Sequence, residues 1–94
     1  MNTIKIEIRK NETGYTAVAN GEKIGWVCSW FNNTFAAAMS FGIRTIKSLA
    51  ITELDNEEKS ANGFMTETNA ILWLKDMITS YFKKHNIKAE FAKV

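Results

Sequence analysis

The feature that most constrains this chain is a strict alternation of apolar and charged residues over positions 3–9. The apolar positions are Ile4, Ile6 and Ile8, and the charged positions are Lys5, Glu7 and Arg9. A period of two residues with β-branched apolar side chains is typical of a strand that buries one face. The sequence therefore predicts a strand from a sheet that has a core on one side and solvent on the other.

Turn signals continue this strand into a meander. The segment KNETG, residues 10–14, provides turn residues, and Gly14 can take a positive φ. After a return strand over residues 15–19, the pair Asn20-Gly21 is the strongest short signal for a β-hairpin. The segment IGWVCSWF, residues 24–31, then predicts a third strand with Trp26, Cys28 and Trp30 on one face. We expect three antiparallel strands joined by tight turns.

The second half of the chain predicts two helices and two more strands. Asn32 or Asn33 can cap a helix from Thr34 to about Leu49, and residues 49–54 indicate a short strand. The polar residues 55–63 predict a loop. Thr66 or Thr68 can cap a second helix that runs to about Lys84, before a final strand over residues 87–91. The predicted fold is α/β with a mixed sheet, in the order β-β-β-α-β-α-β, with the last two strands parallel to the first.

Composition limits the functions to consider. The 94 residues fit a single domain, 1–94, and the formal charge of +2 does not by itself indicate nucleic-acid binding. One cysteine, Cys28, permits no internal disulfide bond and favours a reduced, cytoplasmic setting. We expect neither a signal peptide nor a membrane span, because the first residues alternate and no apolar run is long enough.

Several short motifs resemble known families. The segments NNTFAA (residues 32–37), ITELDN (51–56) and SANGF (60–64) resemble the helix opening, fourth strand and following loop of ribonuclease H-like domains. The first half also resembles HicB-type antitoxins, through ETGYTAV (residues 12–18) and NNTFAAAM (32–39), although their proline-rich loop is missing. This resemblance implies a ribonuclease H-like core.

The resemblance also implies that the enzyme's metal site is lost. Ribonuclease H chemistry uses two divalent cations, which need several converging carboxylates. The positions that the resemblance assigns to these carboxylates hold Arg9-Lys10, Ala36 and Asp55, and the fourth would lie beyond Val94. One carboxylate out of four cannot hold two cations, so we expect no metal, no cofactor and no catalysis. The less favoured alternative is a residual nuclease. Its metal site would be rebuilt from other acidic residues, namely Glu7, Glu53, Glu57 and Glu58.

The leading hypothesis is a non-catalytic binding protein, a small regulator or inhibitor of the antitoxin type or of the phage or mobile-element anti-defence type. It would dock on a protein partner, and a nuclease or a nucleic-acid machine is one such partner. The predicted contact residues are Trp26, Trp30, Phe41 and Trp73. Their apolar surface also leaves a homodimer open. The alternative is a nucleic-acid-binding module, whose candidate phosphate contacts are Lys5, Arg9, Lys10, Lys83, Lys84 and Lys88.

Overall fold

The computed structural model describes residues 2–40 and 58–93, and every structural statement below concerns these residues. The strands are β1 (Asn2–Lys10), β2 (Gly14–Ala19), β3 (Glu22–Ser29), β4 (Phe35–Ser40), β5 (Glu58–Phe64) and β6 (Ile87–Lys93), and the α-helix is α1 (Glu67–Lys84). The six strands form one sheet in the order β5-β4-β3-β2-β1-β6. The neighbours pair antiparallel, except that β6 runs parallel to β1. The described part is therefore a mixed α+β fold.

The predicted meander of three strands is confirmed. β1, β2 and β3 pair in sequence order, and Asn20 and Gly21 take positive φ values of 51° and 78° in the turn between β2 and β3. The β2–β3 register shifts beside Ala17, so that Ile24 has no partner of its own. This bulge lets both Ile24 and Gly25 be buried, although they are consecutive residues.

The predicted first helix is wrong where it can be compared, because Phe35–Ser40 is strand β4. Asn32 and Asn33 do not cap a helix. They take left-handed φ values of 56° and 58° in a tight turn, where the Trp30 amide donates to the Thr34 carbonyl over 2.8 Å. β4 then pairs with β3 on one side and β5 on the other, and these contacts override the helix propensity of its alanines.

The predicted loop over residues 55–63 is also wrong in its described part, because Glu58–Phe64 forms strand β5. Its polar composition suits a strand at the edge of the sheet, where one side of the strand faces solvent. Asn62 and Gly63 form a bulge opposite β4, with Gly63 at φ 84°. The order β-β-β-α-β-α-β is therefore not confirmed, and the strand predicted over residues 49–54 lies outside the described residues.

The second predicted helix and the final strand are confirmed. α1 begins after Thr66, whose hydroxyl accepts a hydrogen bond from the Asn69 amide at 3.1 Å. It ends at Lys84, and Asn86 takes a left-handed φ of 59° immediately before β6. β6 then pairs parallel with β1, as the sequence predicts.

α1 covers one face of the sheet. The largest side chains buried between them include Ile6, Ile24, Met39, Leu74, Ile78 and Phe82. Gly25 allows a close approach, because a Cβ atom at this position would lie 2.9 Å from the Leu74 Cδ1 atom and 2.8 Å from the Ala38 carbonyl oxygen. The core therefore lies on the α1 side, and the site described next lies on the other face.

Candidate functional site

The face of the sheet opposite α1 is called the open face here. The strand registers place on it residues that include Lys5, Glu7, Arg9, Thr16, Val18, Lys23, Trp26, Cys28, Ala36, Ala38, Ser40, Ser60, Lys88 and Glu90. Its β3–β4–β5 half is mostly apolar, with Lys23 near the start of β3 as an exception, and its β2–β1–β6 half carries most of the charged residues. The described residues include no helix over this face, since α1 packs on the other one.

A groove crosses the apolar half of the open face. Trp26 and Trp30 form one wall, Ala36 and Ala38 form the floor, and β5 forms the other wall with residues that include Ser60 and Asn62. Two adjoining cavities of about 340 Å³ and 190 Å³ share Trp26, Ala38 and Ser60. We call this feature the tryptophan groove. Its depth follows from the sequence, because alanine at positions 36 and 38 leaves space beside two large indole rings.

The aromatic side chains of the groove are accessible to solvent. Trp26 is 36% exposed, Trp30 is 45% exposed and the neighbouring Phe31 is 74% exposed. The Trp30 and Phe31 rings meet edge to face with centroids 5.2 Å apart, and the Lys23 ammonium lies 4.8 Å from the Trp26 ring centroid. An edge-to-face ring pair and a cation over an indole ring are both favourable contacts, so they hold these rings in place while leaving them exposed.

The charged half of the open face mixes both signs. Arg9 forms a salt bridge with Glu7, and Lys5 lies directly beside Glu90 in the β1–β6 pairing. Lys88 is exposed on the same face, beside Thr3. Because carboxylates alternate with the cations, this half offers no continuous basic track for a phosphate backbone.

The structure does not bring the six predicted phosphate contacts together. Lys5, Arg9 and Lys88 share the open face, whereas Lys10 falls on the other side of β1 and at its far end. The eight residue steps from Asn2 to Lys10 span roughly 26 Å in a strand. Lys83 and Lys84 belong to the last turn of α1, which packs on the opposite face.

The predicted partner contacts do not all lie at one site either. Trp26 and Trp30 both line the tryptophan groove, on either side of Cys28. Trp73 lies on α1 and is half-buried against the core, with its ring centroid 6.0 Å from that of Phe64. Phe41 lies outside the described residues.

Sequence reasoning missed the floor and the β5 wall of the groove. The alternation of Ala36, Ala38 and Ser40 with Phe35, Ala37 and Met39 is the signal that could have revealed them.

Within residues 2–40 and 58–93, no group of three His, Cys, Asp or Glu side chains is placed to hold a metal ion. Asp55, the carboxylate that the resemblance retains, lies outside these ranges. In the same part of the chain, no helix combines the length and the apolar composition that crossing a bilayer requires.

Comparisons with known proteins give no relative. No family model matches the chain, and neither a curated protein nor a solved structure matches it. Function has therefore to be inferred from the residues of the chain itself.

Proposed function

We propose that this chain is a non-catalytic binding protein that docks a protein partner in the tryptophan groove. The observation that carries the proposal is the exposure of Trp26 and Trp30, which flank Cys28 along one cavity on the sheet face opposite α1. Tryptophan is the residue type most enriched among energetically dominant contacts of protein interfaces. An exposed apolar patch around such residues is typical of an interaction site.

The exposed aromatic area is large enough to contribute strongly to affinity. From their exposed fractions, Trp26, Trp30 and Phe31 together present roughly 350 Å² of surface. At about 25 cal/mol per Å², burying this surface contributes about 9 kcal/mol before the costs of association. A stable interface buries about 800 Å² on each partner, so the rest of the contact would come from the floor and the β5 wall of the groove.

The chemistry of the groove favours a protein partner over nucleic acid. Apart from Lys59, the described residues that line the two cavities carry no charge. Single-stranded nucleic acid needs cations along its backbone beside the stacking rings. Among the described residues of the open face, Lys23 is the one cation beside the tryptophans, and the other cations lie on the other half of the sheet, where Glu7 and Glu90 accompany them. The nucleic-acid module therefore stands as the second candidate.

The biological role that we propose is that of a small cytoplasmic regulator or inhibitor. Its support is the sequence resemblance of ETGYTAV, residues 12–18, to the second strand of HicB-type antitoxins, which implies a partner such as a nuclease or a nucleic-acid machine. The motifs at residues 32–37 and 60–64 give no such support, because they match a helix opening and a loop but fall on the start of β4 and on β5. The ribonuclease H-like resemblance supports the absence of catalysis only at the end of β1, where Arg9 stands in place of a carboxylate that metal-dependent cleavage needs. A phage or mobile-element inhibitor of host defence fits this description.

The test compares two variants in affinity purification from the native host. The double variant Trp26→Ala/Trp30→Ala removes one wall of the groove. The matched control is Leu72→Ala, which removes an exposed apolar side chain from α1. A stoichiometric protein that is retained by the native chain and by the control, and lost with the double variant, supports the proposal. Equal retention by all three would contradict it, provided that circular dichroism shows each variant folded.

The nucleic-acid alternative has its own measurement. Fluorescence anisotropy with labelled single-stranded DNA, single-stranded RNA and an RNA–DNA hybrid would be recorded at 50 mM and 200 mM salt. We expect no binding that weakens steeply with added salt. Tight binding that falls at least tenfold over this range, and falls further on Lys5→Glu, would instead establish the nucleic-acid module.

A further inference from the structure

β6 is a regular strand at one edge of the sheet, with β1 as its only neighbour among the described strands. Its seven residues pair with β1 without a register shift, from Asn2 with Ile87 to Ile8 with Lys93. The strand at the other edge, β5, is interrupted by the bulge at Gly63. A bulge is one of the devices that block edge-to-edge pairing, and β6 has no bulge. Of the two edges, β6 is therefore the one suited to pairing with another strand.

The charges of this edge are complementary to themselves. Lys88 and Glu90 are exposed, lie on the open face and are separated by a single residue. A block of like charges would repel a second copy of the strand. Two opposite charges at this spacing instead attract a second copy that runs antiparallel, because each lysine can then lie opposite a glutamate.

Only one antiparallel register makes use of this complementarity. Directly opposed residues must share a face of the sheet, so the twofold axis has to pass through a residue. An axis at Ala89 pairs Lys88 with Glu90 of the second copy twice, and pairs Ile87 with Phe91 on the α1 side. An axis at Glu90 would oppose two carboxylates, and an axis at Phe91 would leave Glu90 opposite Ala92.

We propose that two copies of this chain form a symmetric dimer by antiparallel pairing of their β6 strands about Ala89. The proposal is independent of what the tryptophan groove binds. The axis is perpendicular to the sheet, so the two open faces lie on the same side of the dimer. The dimer therefore presents two tryptophan grooves in one direction, which suits a partner that is itself a dimer.

Sedimentation equilibrium over a range of concentrations tests the dimer. We expect the native chain to show a concentration-dependent species of twice the monomer mass. Lys88→Glu places carboxylates opposite each other twice and is expected to raise the dissociation constant about tenfold or more. This variant leaves the Lys5–Glu90 neighbours within each copy unchanged. The double swap Lys88→Glu/Glu90→Lys restores complementarity and is expected to recover dimerisation. Lys83→Glu, at the end of α1, is the control with the same change of charge.

A disulfide crosslink tests the register. In a Cys28→Ser background, Ala89→Cys places two thiols at the axis and is expected to give a crosslinked dimer on mild oxidation. Ala92→Cys places them six residues apart along the paired strands, roughly 20 Å, and is expected to stay monomeric. A native chain that is monomeric at millimolar concentration would overturn the proposal. A dissociation constant that is unchanged in Lys88→Glu would also overturn it. The same holds if Ala92→Cys crosslinks in preference to Ala89→Cys.

Discussion

Substitution of Gly25 by alanine tests how closely α1 packs on the sheet. A Cβ atom at Gly25 would meet the Leu74 Cδ1 atom at 2.9 Å and the Ala38 carbonyl oxygen at 2.8 Å. The first contact is with the end of a side chain, which can move. The second is with the backbone of β4, which is held by its pairing with β3 and β5. The substitution therefore strains both the helix contact and the strand pairing.

The expected cost follows from these two contacts. Overpacking of this kind destabilises a protein by about 1–3 kcal/mol. Reduced freedom of the unfolded chain offsets about 0.4–1 kcal/mol of this for a glycine-to-alanine change. We therefore expect Gly25→Ala to lower the free energy of unfolding by about 1–2 kcal/mol. Leu74→Ala alone, at a fully buried position, should cost about 2–5 kcal/mol.

Urea unfolding of the two single variants and the double variant gives the decisive comparison. Removal of the Leu74 methyl groups relieves one clash and leaves the clash with Ala38, so the costs should fall short of additivity by about 1 kcal/mol. The double variant should still be less stable than Leu74→Ala. Additive costs would contradict this reasoning, and so would a Gly25→Ala variant as stable as the native chain. Either result would mean that Gly25 is not in close contact with both α1 and β4.

Three further predictions concern the turns and the aromatic residues. Thr66→Ala should lower the free energy of unfolding by about 1 kcal/mol, and Thr66→Ser should recover most of it, because the hydroxyl caps α1. Thermal unfolding checks both variants, and equal stability of the native chain and the two variants would contradict the cap. Asn32→Gly should leave the free energy of unfolding nearly unchanged, and Asn32→Val should lower it by at least about 1 kcal/mol, since only the valine is strained at a left-handed φ. Urea unfolding that finds the valine variant more stable than the glycine variant would argue against the turn. Among variants that keep a single tryptophan, acrylamide should quench Trp30 more strongly than Trp73, and the opposite ranking would place the wrong face in solvent.

The elements that the sequence predicts correctly are those with strong local signals. β1 has strict alternation, Asn20-Gly21 takes the positive φ values of a tight turn, and Thr66 caps α1 with its own side chain. Each signal involves residues that are close in sequence. The parallel placement of β6 follows in turn, because a helix connects it back to the sheet.

β4 and β5 escape prediction because their structure depends on residues distant in sequence. Ala36, Ala37 and Ala38 have the highest helix propensity, and nothing local opposes a helix there. Pairing with β3 and β5 decides in favour of a strand. The asparagines of the turn are ambiguous in the same way, because asparagine is favoured both as a helix cap and in a left-handed conformation.

The candidate site is predictable to the same extent. Trp26 and Trp30 share a strand face in the sequence pattern, and the structure places both in the tryptophan groove. The floor escapes prediction, because the sequence favours a helix over the residues that form β4. The β5 wall was hidden because Ser60 and Asn62 belong to a polar segment whose strand forms only against β4. The sequence thus indicates the aromatic wall, and tertiary structure supplies the cavity.

The proposed function requires the face bearing Trp26 and Trp30 to be open to solvent and available to a partner. Cys28 is the only cysteine and lies on this face, half-buried between the two tryptophans, so it reports on this requirement without any substitution. The measurement is the rate at which a maleimide labels Cys28 in the native protein and in urea. We expect native labelling at a rate within about a hundredfold of the unfolded rate and independent of urea below the unfolding transition. If the face is covered, labelling must await unfolding, and even about 5 kcal/mol of stability would slow it by several thousandfold. A labelling rate that is suppressed to that degree and rises with urea would show that this face is covered and would contradict the proposed docking site.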